Sequence, residues 1–291
     1  MRILFHLGAH STDEGRILDC LSQNRGRLWR AGTLLPEPAT YRPLLREAMA
    51  QRREEMASAA LESELLGRIC GEEMPQRLIL SNDSFLSAAA RVFKQRTLYG
   101  QAGDKVVQLQ QLFPGHEAGF CLAIRNPATF IPAVVARLGG TGVDELLGGI
   151  DARALRWSDV VKAIAGAAPG KPLTVWCNED TPLIWPEVLA AVAGQPAEPP
   201  FEGQEDFLAS LMTEAGVERM RAYLRTHVPA GALQRRRVVA AFLDKFARPE
   251  AVEEELDVPG WTEAVVEEIT ESYEEDIFEI QRMPEVTFLE A

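Results

Sequence analysis

The sequence predicts a three-layer α/β fold, in which helices flank a central parallel sheet and a helical C-terminal part follows. Four short apolar runs each end abruptly in polar residues, which is typical of buried parallel strands. Longer stretches with helical periodicity separate these runs, as the crossovers of a parallel sheet require. After residue 195 only helical stretches and a short terminal apolar segment follow.

The first elements are a strand, a helix and a long helical region. We expect the strand at residues 2–7 and a helix that begins near residues 13–15 and stops at Gly32. A proline-rich loop comes next. Residues 42–70, rich in Ala, Leu, Glu and Arg, are predicted to form one long helical region.

Three further strands are expected in residues 77–83, 118–127 and 171–180. Ligands of open α/β sheets bind at the carboxyl ends of the strands. The four ends read GAHSTDEG, SNDS, RNP and NED. Because parallel strands end on the same edge, these polar residues are predicted to converge there.

We predict two parts, a parallel α/β core at residues 1–195 and a helical extension at residues 196–291 that packs on it in one compact domain. Helices are expected at residues 205–212, 214–226 and 233–246. In a final helix, apolar side chains recur every fourth residue from Trp261 to Ile277, which indicates a seam against the core.

The net charge of −13 comes from one segment, residues 250–279, which hold 13 acidic residues and no lysine or arginine. Residues 219–248 carry seven arginines and one lysine against the single acid Asp244. These stretches are either two solvated faces or two faces that dock on each other. A short basic stretch beside a strongly acidic one argues against nucleic acid as a partner.

Nothing in the sequence indicates a membrane, a secretion signal or a metal. No apolar run approaches the roughly 18 to 20 residues of a membrane span, and the N-terminus lacks the pattern of a signal peptide. We therefore expect a cytoplasmic protein without a membrane partner. The four cysteines lie far apart without metal-ligand spacing, and we expect small buried side chains at Cys20, Cys70, Cys121 and Cys177.

Five motifs follow one another along the chain: HLGAHST, ILSND, LAIRNPATFIPAVV, WCNEDTPLIWPEVL and ESYEEDI. In this order they resemble the bacterial sulfotransferase-like proteins of the P-loop superfamily, over residues 1–195 and the last helix. The resemblance implies the three-layer P-loop fold and the cofactor 3′-phosphoadenosine 5′-phosphosulfate. The implied reaction transfers the sulfuryl group to a hydroxyl or amine of a small-molecule or glycan acceptor.

The loop after the first strand departs from the family pattern H-K-T/S-G-T-T, whose lysine and hydroxyls hold the 5′-phosphosulfate. His10 and Thr12 match, Ser11 replaces the lysine, and residues 13–15 read Asp-Glu-Gly. At about 5 Å and an effective dielectric constant near 20, each carboxylate opposes a bound anion by on the order of 3 kcal/mol. Either Arg16 compensates, or the loop is a self-capped helix start with Ser11 or Thr12 as the N-cap.

The resemblance places the cofactor at Gly8, Ser11, Thr12, Arg16 and Arg125. Arg125 corresponds to the family's arginine for the 3′-phosphate. The serine expected eight residues later is Ala133. The alternative role for Arg125 is structural pairing with an acid such as Asp83 or Glu179.

The catalytic base implied by the resemblance is Asp83, with His10 as the second candidate and His6 expected to be buried in its strand. The alternative role for Asp83 is a helix cap. The residues 178–180 resemble a family motif that is chiefly structural.

Three hypotheses stay open. The chain is an active sulfotransferase with an unusual donor loop, or a non-catalytic descendant that uses no cofactor and binds a ligand or partner, or a P-loop kinase or nucleotidase. The absence of G-x-x-x-x-G-K-[S/T] counts against the last.

Overall fold

A computed structural model describes residues 1–51, 56–252 and 258–291, except for the side chain of Gln95. In these residues six strands form one parallel sheet in the order β2-β3-β1-β4-β5-β6. The strands are β1 (Arg2–His6), β2 (Thr33–Leu34), β3 (Arg77–Ser81), β4 (Glu117–Ile124), β5 (Leu173–Cys177) and β6 (Val286–Leu289). The predicted parallel α/β class is confirmed, and β1, β3, β4 and β5 are the four strands expected from the apolar runs.

Fourteen α-helices surround this sheet in the described part of the chain. They are α1 (Arg16–Gln23), α2 (Arg25–Arg30), α3 (Pro38–Gln51), α4 (Ala59–Cys70), α5 (Ala102–Leu112), α6 (Pro127–Leu138), α7 (Val143–Leu147), α8 (Trp157–Ala167), α9 (Thr181–Ala193), α10 (Asp206–Leu211), α11 (Glu214–Thr226), α12 (Ala232–Phe246), α13 (Pro249–Val252) and α14 (Glu263–Gln281). Short 3₁₀ segments at Ala89–Arg91 and Lys94–Arg96 precede α5.

The sheet has a hydrophobic cluster on each face, which produces the three layers. Along β1, Ile3 and Phe5 belong to the larger cluster and Leu4 to the smaller one, as alternation along a strand requires. Helices α3 to α6, α8 and α14 cover the larger cluster, whereas α1, α2 and α9 cover the smaller one.

Two predicted helical stretches are divided in the structure. The helix after β1 breaks at Asn24, whose side-chain amide donates to the Cys20 and Glu202 carbonyls at 2.8 Å and so competes with helical bonding. The prediction of one helical region over residues 42–70 is wrong. Residues 56–58 are not helical, and the Ser58 hydroxyl accepts the Leu61 N–H at 3.3 Å, which starts α4 as a new helix. Residues 52–55 of that prediction lie outside the described residues.

The residues after 195 contribute helices and the edge strand β6. Helices α10 to α12 bury a small cluster of their own around Met220 and Val239. Helix α14 places Ile269 and Tyr273 in the larger cluster of the sheet. The division at residue 195 stays a prediction.

The acidic and basic stretches make their ion pairs elsewhere. In the basic stretch Arg221 pairs with Glu205, and Arg236 with Glu187. On α14, Glu268 pairs with Arg153, and Lys162 contacts a second acid of that helix. Within the described ranges, which omit residues 253–257, no ion pair joins the two stretches.

Candidate functional site

Four loops meet at the carboxyl edge of the sheet. They follow β1, β3, β4 and β5, which are neighbours in the order β3-β1-β4-β5. The polar strand ends predicted from the sequence therefore lie on one edge.

Gly8 packs the loop after β1 against the loop after β3. Its φ is +95°, and a Cβ there would lie 2.9 Å from the Cα of Asp83, so only glycine fits. On either side, the N–H groups of Leu7 and Ala9 donate to carbonyls of β4 at 2.9 and 3.1 Å. The close packing of these two loops therefore explains why a glycine stands at position 8 without invoking a ligand.

The rest of this loop is closed by its own side chains. The Thr12 hydroxyl donates to a backbone carbonyl of the loop at 2.8 Å, and the Asp13 carboxylate accepts the Ile17 N–H at 3.3 Å. The N-cap of α1 is Gly15, which makes no side-chain hydrogen bond. The expected N-cap at Ser11 or Thr12 is wrong, because a turn at residues 13–15 separates these hydroxyls from the helix.

Arg16 contacts the acid of its own loop. Its Nη1 lies 3.0 Å from Glu14 Oε2, and its guanidinium lies 5.3 Å from the centre of the Phe207 ring. The cation therefore neutralises Glu14.

Arg125 ties the loop after β1 to the start of α6. Its Nη1 donates to the Ser11 carbonyl and its Nε to the Thr129 hydroxyl, the latter at 3.0 Å. The residue is 7% exposed, and its own carbonyl accepts the Trp157 indole N–H at 2.8 Å. The guanidinium thus supports the turn where the resemblance expects a phosphate ligand.

Asp83 pairs with Arg137 of α6 at 2.6 Å and accepts a hydrogen bond from the Ser84 hydroxyl at 3.1 Å. The neighbouring Asn82 side chain accepts the Ser84 N–H at 3.2 Å and makes a turn. The alternative role of Asp83 as a helix cap is wrong, because no helix starts there; the next helical segment begins at Ala89. Asp83 is therefore an ion-paired carboxylate at the cavity, and Arg137 is its counter-ion.

His10 is fully buried beside Tyr99. The Tyr99 hydroxyl accepts the His10 backbone N–H at 3.1 Å, so its own proton points to His10 Nδ1 at 2.6 Å. This assigns the ring proton to Nε2, which has no partner among the described residues. Burial lowers the pKa of His10 to about 4, so the ring is neutral near pH 7.

A cavity of about 400 Å³ lies between the loops after β1 and β3. His6 and Ser81 are register partners on adjacent strands, and His6 Nδ1 lies 2.8 Å from the Ser81 hydroxyl. His6 Nε2 is buried without a partner in the described part of the chain, and burial lowers the pKa of this ring. The charged residues that line the cavity are Asp13, Glu14, Asp83, Arg42 and Arg137.

A second cavity of about 1000 Å³ adjoins the first, and Arg42 of α3 lines both. Arg42 Nε donates to the Ser81 carbonyl at 3.1 Å, and the Tyr41 hydroxyl donates to the same oxygen at 2.7 Å. These two bonds fix the helix start between the cavities.

The motif of residues 178–180 makes contacts between elements. Glu179 accepts the Asn126 N–H at 2.8 Å and the Tyr273 hydroxyl at 3.0 Å. Burial raises the pKa of Glu179 above its ordinary value. The carboxyl group therefore connects the loop after β5 to the start of α6 and to α14.

Among the described residues, no group of three or more His, Cys, Asp and Glu side chains is arranged to hold a metal ion. In the same ranges, no helix has both the length and the apolar character of a membrane span.

No family model matches this chain, and no curated protein matches it either. One similar solved structure is a sulfotransferase from Alicyclobacillus acidocaldarius. The alignment covers 82% of this chain and 97% of that chain, with 11% sequence identity and a TM-score of 0.43. Sequence identity and structural similarity at this level show nothing about the chemistry of this chain.

Sequence reasoning missed two residues of the edge, Arg42 and Tyr99, and it placed Ser81 in a polar strand end without finding its contacts. The contacts of Ser81 and Tyr99 depend on which strands and loops become neighbours, and no local pattern reveals this. The sequence pattern around Arg42 could have identified it. It lies four residues before Arg46 on one helix face, and neither has an acid three or four residues away.

Proposed function

We propose that this chain is a non-catalytic, ligand-binding relative of the sulfotransferase-like proteins that its motifs resemble. The ancestral reaction is sulfuryl transfer from 3′-phosphoadenosine 5′-phosphosulfate to a hydroxyl or amine. In this proposal the sheet edge keeps its role as a binding site, whereas the donor site is closed.

The observation that carries the proposal is the engagement of Arg125. The resemblance assigns this side chain to the 3′-phosphate of the donor, but its guanidinium donates to the Ser11 carbonyl and the Thr129 hydroxyl. A phosphate would compete with both bonds, and breaking them would release the loop after β1 from α6.

The other residues assigned to the donor support the same conclusion. A lysine that neutralises charge on the leaving oxygen is absent, since Ser11 stands in its place. The Asp13 carboxylate occupies the Ile17 N–H that a phosphate would bind, and Arg16 is paired with Glu14. These residues do not fit a phosphosulfate group, so no reaction step is derived through it.

The candidate base is also unsuited to proton abstraction. The Asp83 carboxylate forms an ion pair with Arg137 at 2.6 Å, so it is engaged by a protein side chain instead of facing a free acceptor position. His10 is a weak base in a fully buried place. By contrast, cavities of about 400 and 1000 Å³ stay open at this edge, which supports ligand binding.

Calorimetry with adenosine 3′,5′-bisphosphate, the desulfated donor, tests this proposal. We expect no saturable binding to the full chain at ligand concentrations up to about 1 mM. Micromolar binding that Arg125→Lys weakens about tenfold or more would overturn the proposal. Thermal unfolding of the variant establishes that it folds, and Arg30→Ala, at an exposed arginine of α2, is the control.

A second arm of this test restores the family residues with Ser11→Lys, Asp13→Gly and Glu14→Thr together. We expect the folded triple variant to acquire measurable binding, because it gains a cation and loses two carboxylates. A well-folded variant without binding would contradict the alignment of this loop with the donor loop.

A further inference from the structure

We propose that the larger cavity is a binding site for an oligoanion, a small molecule that carries several phosphate or sulfate groups. This inference rests on the proposed function, because it names the ligand class for a protein that binds at its sheet edge. The smaller cavity differs from the larger one in charge, because three carboxylates and two arginines line the smaller cavity.

The charge of the cavity wall is the first observation. Among the described residues, five cationic side chains line the cavity against one acid, Asp104; they are Arg42, Arg46, Arg91, Lys94 and Lys105. The whole chain has a net charge of −13, so this wall has the opposite sign to the molecule that carries it. A concave wall of one sign concentrates ligands of the other sign.

The second observation concerns the partners of these cations. In the described ranges Arg46, Arg91 and Lys94 make no ion pair or side-chain hydrogen bond, whereas eight arginines elsewhere in these ranges each lie within 4 Å of a carboxylate. Lys105 donates to Gln108 at 3.1 Å, and Arg42 uses Nε for the Ser81 carbonyl. Like charges that face one cavity repel each other, and a bound anion removes this repulsion.

The arrangement of the cations indicates more than one anionic group. Arg42 and Arg46 come from α3, Arg91 and Lys94 from the 3₁₀ segments, and Lys105 from α5. A volume of about 1000 Å³ is much larger than a single sulfate or phosphate needs. Several phosphate or sulfate groups on one scaffold engage cations from separate walls.

The floor of the cavity suits a scaffold with hydroxyl groups. Met49 and Phe85 line it with apolar surface, and Gln101 and Gln111 add amides. Side-chain amides both donate and accept hydrogen bonds, as the hydroxyl groups of sugars and polyols do.

Calorimetry of the full chain at about 50 mM salt tests the proposal with two probes. Inositol hexakisphosphate represents phosphate esters, and a heparin-derived tetrasaccharide represents sulfate esters. We expect saturable binding of at least one probe, no binding of uncharged myo-inositol, and weaker binding at about 200 mM salt. The probe that binds more tightly identifies the source of the anionic groups.

The paired variants locate the binding. Arg46→Ala with Arg91→Ala is expected to weaken binding at least tenfold, since each removes a charge-assisted contact. Arg30→Ala with Arg237→Ala removes the same charge from two exposed positions outside the cavity, and we expect less than a twofold change. Thermal unfolding checks that both pairs fold. Absence of binding for both probes, or equal losses in the two paired variants, would overturn the proposal.

The two proposals fail in different ways. If adenosine 3′,5′-bisphosphate binds and Arg125→Lys abolishes that binding, the proposed function fails. Binding of the two probes to Arg46→Ala with Arg91→Ala then still tests the oligoanion site. If the nucleotide binds and only Arg46→Ala with Arg91→Ala weakens it, the nucleotide occupies the cavity as an oligoanion, which supports the present inference.

Discussion

A few side chains determine the shape and the charge of the loop after β1. Its backbone is placed by Gly8, which packs on Asp83, and by bonds to β4. Its charge is set by Asp13 and Glu14, and its anchor is Arg125. The charged groups at this strand-to-helix turn therefore contact each other and the neighbouring backbone.

His10 gives a pH-dependent prediction. Its pKa is about 4 in the folded chain and 6.5 when unperturbed, so the unfolded chain takes up the proton more readily between these values. The free energy of unfolding therefore decreases as the pH falls from about 6.5 towards 4, by about 3 kcal/mol for this side chain. His6 acts in the same direction, since burial lowers its pKa too.

Urea unfolding of wild type and His10→Asn between pH 7 and 4 measures this contribution. The side-chain oxygen of asparagine can accept the hydrogen bond that Tyr99 donates to His10. We expect the variant to lose most of the pH dependence of about 3 kcal/mol. His227→Asn, at an exposed histidine after α11, is the matched control. An identical pH profile for wild type and His10→Asn would contradict the prediction.

At the scale of elements, sequence patterns predicted the strands that are buried on both faces. The runs that became β1, β3, β4 and β5 are apolar and end in polar residues. The strand β2 was missed because two residues, Thr33 and Leu34, carry no periodic signal. The break at Asn24 was missed because its cause is a contact with Glu202, far away in sequence.

The candidate site could also be predicted from the sequence only in part. The polar strand ends were predicted from the sequence, because a parallel sheet places them on one edge. The ion-pair and hydrogen-bond partners of these residues were not predicted, because they depend on how the helices and loops pack. Asp83 meets Arg137 of α6, and His10 meets Tyr99 of a distant loop.

Helix α14 supports the start of α8 through a buried carboxylate. Asp276 accepts the N–H groups of Trp157 and Ser158, the latter at 3.1 Å, and it is 2% exposed. These are two of the N–H groups that a helix start leaves without partners.

We expect Asp276→Ala to lower the free energy of unfolding by about 2 kcal/mol. Asp159→Ala, an exposed acid in the first turn of α8, should cost less than about 1 kcal/mol. Urea unfolding at pH 7 compares them, and equal losses would contradict this role.

At the scale of the whole molecule, the sheet is completed by the end of the described chain. The strand β6 pairs in parallel with β5, with Leu173 opposite Val286 and Trp176 opposite Leu289. Its side chains reach both layers, since Val286 and Phe288 pack against the larger cluster and Leu289 against the smaller one. The N-terminal core and the last strand therefore share one sheet.

Deletion of residues 284–291 tests what this strand contributes. We expect the free energy of unfolding to fall by about 2 to 4 kcal/mol, because three partly buried apolar side chains and the hydrogen bonds to β5 are lost. The uncovered edge of β5 also offers unpaired N–H and carbonyl groups, so the deletion variant should self-associate at concentrations where wild type does not. Urea unfolding and sedimentation velocity measure the two effects, with Thr287→Ala, an exposed position of β6, as the control. A truncated chain with unchanged stability and association would refute a structural role for β6.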